Sequence, residues 1–184
     1  ASNRMSSNWP GQLRNFAESN WTTGRNGGAL EFGGSNGVVA VAQPDGAAVV
    51  TSAPFTVTAV AWQDGAWTGN YPTVVSDGLY AGGYWPGFTL RYQRGPNAMT
   101  LNVGGTNSLS QLPATNWLPA QAGRWVDVAF AHDGAVARLF VDGRLAKEAT
   151  GAFSAALQPE LLIGGGHVNV HESGWRGRLD DVRI

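Results

Sequence analysis

Carboxylates are the side chains of this sequence best suited to acid–base or ligand chemistry, but turns account for most of the aspartates. Five of the eight aspartates directly precede glycine, and Asp-Gly dipeptides favour tight turns. These five are Asp45, Asp64, Asp77, Asp133 and Asp142. Asp127, Asp180 and Asp181 remain as candidates for chemistry. Because neighbouring residues of a strand point to opposite faces, Asp180 and Asp181 do not form a pair for glycoside cleavage. A pair assembled across strands stays open.

Two other motifs resemble catalytic or metal sites only in their spacing. Residues 33–37 match the G-x-S-x-G pattern of a serine nucleophile, but a strand-like segment follows where that motif requires a helix. We therefore interpret them as a glycine-rich turn. His167 and His171 alternate with valine and asparagine as in a strand, which separates the imidazoles by about 13 Å, too far to share one metal ion. Because the chain contains no cysteine, a cysteine nucleophile and a disulfide are excluded.

Aromatic residues give the sequence its clearest functional signal. The chain has 8 tryptophans, and several aromatic residues lie in turn-like stretches rich in glycine and proline. Rings of this kind stack on the apolar faces of sugars, and loops on a rigid scaffold commonly carry binding sites. The predicted ligand-binding residues are Trp67, Tyr71, Tyr80, Tyr84, Trp85, Arg91, Arg94, Asp127, His167, His171 and Trp175. In the alternative interpretation, large loops fold over the rim of the domain and bury their own aromatic rings.

Within this set, Tyr84 and Trp85 are predicted to line an exposed groove, together with Trp67 or Tyr71 of the preceding loop. Two glycines before the pair and a proline after it hold both rings on a short loop. Phenylalanines at strand-like positions are instead predicted to lie in the core. These are Phe55, Phe88, Phe130 and Phe140.

The elements that position these residues are predicted to be short strands joined by turns. The 26 glycines and 9 prolines disfavour long helices. A period-two alternation in residues 125–132, followed by two Asp-Gly turns, predicts a three-stranded antiparallel meander from 125 to 149. Strands recurring about every ten residues predict a two-sheet antiparallel β-sandwich. The predicted strands are 38–41, 47–51, 55–62, 73–76, 88–92, 99–103, 125–132, 136–141, 160–163 and 178–184. Residues 108–118 are ambiguous, because Pro113 limits any helix there to about one turn.

Length and charge narrow the classes of function. Residues 1–184 are predicted to form one β-sandwich domain, with 1–20 as an N-terminal extension or a first strand. The chain has 12 basic and 13 acidic side chains, a net charge of −1, so it lacks the basic surplus that nucleic acid or an anionic membrane would attract. No segment approaches the ~20 apolar residues of a membrane span. Arg91 and Arg94 lie close together, and guanidinium groups bind carboxylates, so an acidic glycan is one option.

Several segments in order have the pattern of a known family. WVDVAF (125–130), the following Asp-Gly turn and RLFVDG (138–143) resemble the central hairpin of laminin G-like domains of the concanavalin A-like lectin/glucanase superfamily. LLIGG (161–165) and WRGRLDDVRI (175–184) are similar to the next and last strands of that family. The early strands correspond to 26–32 and 55–57. The resemblance covers about residues 20–184 and implies a jelly-roll sandwich.

The resemblance implies a non-catalytic, lectin-like carbohydrate-binding module of a larger secreted or cell-surface protein of bacterial type. Its partners would be a polysaccharide or glycan and the other domains of the parent protein, with no nucleic acid and no membrane insertion. Superfamily enzymes carry a Glu-x-Asp-x-x-Glu strand or a lyase motif, and this chain has neither. Two alternatives stay open: a glycoside hydrolase or polysaccharide lyase with an unrecognised site, and a protein-binding adhesion or spacer domain.

One cofactor is implied, because many members of this superfamily bind calcium at a rim. Alternation places Asp180 on the same face of the last strand as Val182 and Ile184, which we predict to be the core face. A carboxylate among aliphatic side chains must be hydrogen-bonded, ion-paired or metal-bound. A hydrogen bond to backbone is the simplest outcome, and a rim Ca2+ held by Asp180 is the option that the resemblance adds.

Overall fold

The chain folds into two antiparallel sheets that enclose one hydrophobic core. The structure, a computed structural model, describes residues 10–43, 49–65, 69–78, 86–93, 98–103, 109–115, 122–156, 158–167 and 173–184. The strands are β1 (Gly11–Arg14), β2 (Trp21–Thr23), β3 (Gly28–Gly33), β4 (Val38–Ala42), β5 (Phe55–Gln63), β6 (Thr73–Ser76), β7 (Phe88–Gln93), β8 (Ala98–Val103), β9 (Leu109–Thr115), β10 (Trp125–His132), β11 (Val136–Val141), β12 (Arg144–Thr150), β13 (Glu160–Ile163) and β14 (Arg176–Arg183). The predicted all-β sandwich is confirmed.

Both sheets pair strands that are distant in sequence. The first sheet has the strand order β1-β4-β13-β6-β7-β8-β9, and the second has the order β12-β11-β10-β5-β14-β3-β2. The last strand, β14, lies between β5 and β3 near the middle of the second sheet. The outer face of the second sheet therefore brings together residues from the first thirty positions, the middle and the C-terminal end of the chain.

Strand β5 shows how the sequence separates the core from the outer face. Val57, Ala59 and Ala61 belong to the core and are at most 3% exposed. Thr58 and Val60 alternate with them and point to the other face of the sheet. The period-two pattern thus buries apolar side chains between the sheets and leaves the short side chains of Thr58 and Val60 on the outer face of the second sheet.

The predicted meander is confirmed in the second sheet. Val126, Val128 and Phe130 face the core, and each is at most 2% exposed. Gly134 and Gly143 have φ values of 108° and 74°, which are the left-handed conformations that their tight turns require. These turns join β10 to β11 and β11 to β12, which pair in that order.

The predictions for the phenylalanines are confirmed in part. Phe88 and Phe130 are fully buried, and Phe55 packs against the core at its edge. The prediction for Phe140 is wrong. In β11 the core position next to it belongs to Leu139, which is 0% exposed, so Phe140 points to the outer face.

The predicted faces of the last strand are also wrong, because β14 contains a bulge. Leu179 faces the core, and Asp180 therefore points to the outer face. The pairing with β5 shifts register between Asp180 and Arg183, and Asp181 has φ 48°. The additional residue returns Val182 to the core side, whereas Ile184 at the chain end is 41% exposed.

The pattern predicted no strand at β2, β3 or β9, although the family resemblance covers β3 with its segment 26–32. Strand β1 lies within residues 1–20, for which a first strand was one of the two predicted options. Strand β9 contains Pro113, which argues against a central strand, and β9 is indeed the edge strand of the first sheet. Residues 49–51, the described part of the predicted strand 47–51, form no strand.

Candidate functional site

A groove crosses the outer face of the second sheet. Its volume is about 360 Å³, within the range of ~300–1,000 Å³ that is usual for ligand sites. We call it the outer-face groove. Its lining residues are Asn26, Thr58, Ala59, Val60, Asp127, Val128, Ala129, Phe140, Gly143, Asp181 and Arg183.

Short side chains on the two central strands form the floor of the groove. Thr58 and Val60 on β5 lie directly opposite Ala129 and Asp127 on β10. Because three of these four side chains end at Cβ or one atom beyond it, the surface of the sheet is lower here than beside it. Asp127 is the polar member of the floor, and its side chain is 48% exposed.

The turn between β2 and β3 forms one wall. Gly24 donates its N–H to the carbonyl of Gly27 at 2.8 Å, which closes the turn. Arg25 Nη1 contacts Asp127 Oδ2 at 2.6 Å, so the turn reaches across to the floor. Asn26 donates from its backbone N–H to Asp180 Oδ2 at 3.0 Å. The wall is therefore held at two points of the second sheet.

The bulge in β14 completes this wall. Asp181, in its left-handed conformation, accepts a hydrogen bond at Oδ2 from Asn26 Nδ2 at 3.1 Å. Arg183 Nη2 contacts Asp181 Oδ1 at 3.2 Å, and the Arg183 side chain is 72% exposed. Without the extra residue of the bulge, alternation along the strand would turn the Asp181 side chain towards the core. The bulge thus places this carboxylate in the groove.

Phe140 and the turn after β11 form the opposite wall. Phe140 pairs with Ala129, so its ring lies beside the lowest part of the floor. Asp142 donates its N–H to the Asp127 carbonyl at 2.8 Å and accepts the Asp127 N–H at Oδ1 at 3.1 Å. Arg124 Nη2 contacts the other oxygen of Asp142 at 2.5 Å. These bonds fix the second wall relative to the floor.

The family of the chain follows from its sequence as well as from this architecture. Residues 32–184 match the Laminin G 3 family model, described as the concanavalin A-like lectin/glucanases superfamily. The chain belongs to this superfamily. The match covers both sheets except the strands at the N-terminal end, and the predicted family is confirmed.

Solved structures share the fold of this superfamily domain at low sequence identity. Domain 4 of AbnA, a GH43 extracellular arabinanase from Geobacillus stearothermophilus solved with arabinotriose, is 18% identical with a TM-score of 0.66; the match covers 95% of this chain and 75% of that one. A mutant of HCR/D is 11% identical with a TM-score of 0.63, covering 95% and 42%. Domains LG4-5 of the mouse laminin alpha1 chain are 16% identical with a TM-score of 0.47, covering 84% and 40%. No curated protein matches the chain by sequence.

Three of the predicted ligand-binding residues of the superfamily domain meet on the outer face of the first sheet. Tyr71, Arg91 and His167 line one small cavity of about 10 Å³, room for a single water. The guanidinium carbon of Arg91 lies 4.5 Å from the centre of the Tyr71 ring. Arg91 is 8% exposed, and burial lowers its pKa and that of His167. Among the described residues, this cavity is too small for a sugar ring.

The other predicted residues are separated from this cluster or lie outside the described ranges. Asp127 is on the opposite sheet, in the outer-face groove. Trp175 is a core residue, 1% exposed, whose indole N–H donates to the Trp62 carbonyl at 3.3 Å. Its ring is therefore covered on both faces by protein, and a stacking role for it is wrong. The structure does not describe Trp67, Tyr80, Tyr84, Trp85, Arg94 and His171, and the predicted loop groove stays a prediction.

Most residues of the groove were not predicted from the sequence. Arg25 was not singled out, Asn26 was assigned to the early strand segment 26–32 of the family resemblance, and Phe140 was placed in the core. Asp181 was a candidate, but the bulge that exposes it has no signal in the alternation. The remaining signal was Asp127, a carboxylate at an outward position of a strand of otherwise apolar residues.

Asp77 was also misinterpreted as a turn aspartate. It donates its backbone N–H to the Phe88 carbonyl at 2.9 Å, which extends the pairing of β6 with β7. The residue is buried, with 1% of its surface exposed. Gln43 Nε2 donates to Asp77 Oδ1 at 2.7 Å, and Gln43 Oε1 accepts the N–H of Val49. Burial raises the pKa of Asp77 to about 7 despite the hydrogen bond from Gln43.

The described residues contain no cluster of three or more His, Cys, Asp or Glu side chains with the arrangement of a metal site. Asp180 is 7% exposed and has the backbone hydrogen bond that we predicted as its simplest partner. Calcium binding by Asp180 stays a prediction. Within the same described ranges, no helix has the length and hydropathy needed to cross a membrane.

Proposed function

We propose that this domain binds carbohydrate without cleaving it, through the outer-face groove. One observation carries the proposal. The groove has a floor of short side chains, a flat aromatic ring on one wall and polar side chains on the other. Phe140 supplies the ring, and Asn26, Asp127, Asp181 and Arg183 supply the polar groups. Sugars have this same division into apolar ring faces and hydroxyl edges.

The polar groups of the groove are already oriented for hydroxyl recognition. Each carboxylate can accept several hydrogen bonds, and Arg25 takes one oxygen of Asp127 while Asn26 and Arg183 contact Asp181. A guanidinium or amide partner fixes each carboxylate in place and leaves further acceptor capacity for a ligand. Because these groups are ordered before binding, less rotamer entropy is lost when a ligand binds.

Similarity to a domain that was solved with a sugar supports the proposal. Domain 4 of the arabinanase shares the fold over 95% of this chain and was solved with arabinotriose. Its identity of 18% supports the fold only, so the sugar class for this chain rests on the groove. A neutral oligosaccharide such as arabinotriose is a suitable first probe.

Binding is favoured over hydrolysis by the surroundings of the two groove carboxylates. A general acid for glycoside cleavage needs a carboxyl group in an apolar setting that keeps it protonated. Asp127 and Asp181 each contact an arginine, and their side chains are 48% and 32% exposed. Neither has the setting of a general acid. We propose further that the domain is an extracellular or cell-surface module of a larger protein, as the arabinanase domain is part of an extracellular enzyme.

The direct test blocks the groove without disturbing the core. Ala129 is on the floor and points outward, so Ala129→Trp should fill the groove and abolish binding in a glycan array and in calorimetry with arabinotriose. Asp127→Ala should weaken the same binding about tenfold, because a charge-assisted hydrogen bond contributes roughly 1.5–3 kcal/mol. Glu148→Ala is the matched control, since Glu148 is an exposed carboxylate of the same sheet that pairs with Arg138 outside the groove lining.

Three results would contradict the proposal. Binding that survives Ala129→Trp but is lost in Trp85→Ala would transfer the site to the loop groove predicted from the sequence. New reducing ends or unsaturated uronates released from a polysaccharide panel would make the domain an enzyme. Silence across the glycan array would favour a protein-binding adhesion or spacer domain.

A further inference from the structure

Aromatic side chains lie on the outer face of the second sheet in both directions along the strands from Asp127: Phe140 lines the outer-face groove, and Trp62 and Trp125 lie beyond its lining. Trp62 on β5 and Trp125 on β10 pair directly with each other and alternate with the buried Ala61 and Val126, so both project from the outer face. They are two residues along the strands from Val60 and Asp127. Phe140 and its partner Ala129 lie two residues away in the other direction. The aromatic positions are therefore about 13 Å apart along the strands, at 3.3 Å per residue.

The walls give the groove a direction. One wall is the β2–β3 turn with the β14 bulge, and the other is β11 with its following turn, so the walls flank the floor strands β5 and β10 on either side. A long ligand between them must run parallel to these strands. A ligand that continues beyond the lining at one end would reach the Trp62–Trp125 pair, and at the other end it passes Phe140. A distance of about 13 Å spans more than one sugar ring.

Charge determines which chains can enter. Asp127 contacts Arg25, which lies beside the groove lining, and Asp181 contacts Arg183 within it. At the tryptophan end, Arg178 lies over the Trp62 ring, and its Nε is 3.9 Å from Glu31 Oε1. Each of these arginines is therefore already matched with a carboxylate. A ligand carboxylate or sulfate would have to separate one of these pairs and leave a protein carboxylate beside the incoming negative charge. Hydroxyl groups can bind the same aspartates without separating a pair.

We infer that the outer-face groove binds an internal stretch of an uncharged polysaccharide chain, lengthwise along β5 and β10, with one sugar ring against Phe140 and another against the Trp62–Trp125 pair. This inference rests on the proposed function and specifies its ligand. The polar centre around Asp127 and Asp181 then binds the hydroxyl groups of the sugars between the two aromatic positions.

Calorimetry with matched probes tests the length and the ends of the ligand. The probes are linear arabino-, xylo- and gluco-oligosaccharides of two and six units, each also in borohydride-reduced form. In the series that binds, the six-unit probe should bind at least about fivefold more tightly than the two-unit probe, since one additional stacked ring contributes roughly 1 kcal/mol. Reduction of the chain end should change the affinity for the six-unit probe less than twofold. Polygalacturonate should not compete.

Variants at the tryptophan pair separate the two aromatic positions. Trp125→Ala and Trp62→Ala should each lower affinity for the six-unit probe about fivefold and leave the two-unit probe unchanged, whereas Phe140→Ala should weaken both. Trp62 also packs against Arg178, whose guanidinium carbon lies 5.0 Å from the centre of the Trp62 ring. If Trp62→Ala lowers the melting temperature, Trp125→Ala is the variant that tests this aromatic position.

The results that overturn the inference differ from those that overturn the proposed function. Equal affinity for two and six units, loss of binding on end reduction, or tighter binding of polygalacturonate would each refute the lengthwise, uncharged ligand while groove binding stands. Lack of binding to every probe would refute carbohydrate binding itself, and the inference with it.

Discussion

Asp180 accepts a hydrogen bond at Oδ2 from the backbone N–H of Asn26 at 3.0 Å, and this bond joins two segments 154 residues apart in the sequence. The carboxylate lies under the β2–β3 turn. A Cβ added at Gly24 would lie 2.4 Å from the same oxygen, so the turn packs closely on it. Asp180 is therefore a positioning residue for the wall of the groove that carries Arg25 and Asn26.

Removal of this acceptor should loosen the wall. Asp180→Ala leaves the Asn26 N–H without its partner, which should cost about 1–2 kcal/mol of unfolding free energy and weaken glycan binding severalfold. Asp180→Asn retains an oxygen acceptor and should restore affinity. The control is Val182→Ala on the same strand, which removes apolar contact with the core and should lower the melting temperature without changing affinity. Unchanged affinity in Asp180→Ala would remove the positioning role.

The same hydrogen bond sets an expectation for calcium. Asp180 accepts the Asn26 N–H, and among the described residues it belongs to no group of three or more His, Cys, Asp or Glu side chains, whereas a hard cation needs several oxygen ligands. We expect EDTA to leave the melting temperature unchanged, and added Ca2+ to leave it unchanged as well. A rise in melting temperature with Ca2+ that Asp180→Asn abolishes would instead support the rim calcium implied by the family resemblance.

Local periodicity made much of the fold predictable. The alternation in β10 and the Asp-Gly turns after it determine which side chains are buried, because a one-residue slip would expose Val126, Val128 and Phe130 together. The bulge in β14 was not predictable in this way. It depends on Asp181 adopting a left-handed conformation, and a single Asp in a strand-like segment has no local feature that requires this.

The site was less predictable than the fold, because it is assembled from strands that are neighbours only in space. Asn26, Asp127 and Asp181 converge through the pairing order of the second sheet, which periodicity does not determine. Phe140 shows the same limit. Its residue type favours a core position, and only the register of β11, with Leu139 in the core, places the ring in the groove.

Truncation of two phenylalanines on neighbouring strands should affect different properties, stability for Phe130 and glycan binding for Phe140. Phe130 is 0% exposed, and its ring centre lies 4.9 Å from that of Phe88, so Phe130→Ala should cost about 3–5 kcal/mol of unfolding free energy. Phe140→Ala removes a half-buried ring from the outer face and should cost less than about 1.5 kcal/mol while weakening glycan binding. Urea denaturation and calorimetry measure the two effects separately. A near-neutral Phe130→Ala would contradict the core assignment.

The buried acid Asp77 should make stability depend on pH. Its pKa is about 7 in the folded state and about 3.8 in an unfolded chain. Between these values the unfolded chain releases a proton that the folded state retains, so this group lowers the unfolding free energy as pH rises from about 4 to 7 and has a constant effect above 7. The loss should be on the order of 2–4 kcal/mol.

Comparison with Asp77→Asn isolates this contribution from the other titrating groups. Asparagine can accept from Gln43 Nε2 as Asp77 does, but it carries no charge, so the variant should be more stable than the natural chain at pH 8 and nearly equal to it at pH 4. Asp133→Asn is the control with the opposite sign. Arg138 and the N–H groups of Ala135 and Val136 hold the pKa of Asp133 below its ordinary value, so this variant should be less stable at pH 8, by an amount that shrinks in acid. Urea denaturation at both pH values measures the differences, and a stability gap for Asp77→Asn that does not grow from pH 4 to pH 8 would contradict the raised pKa.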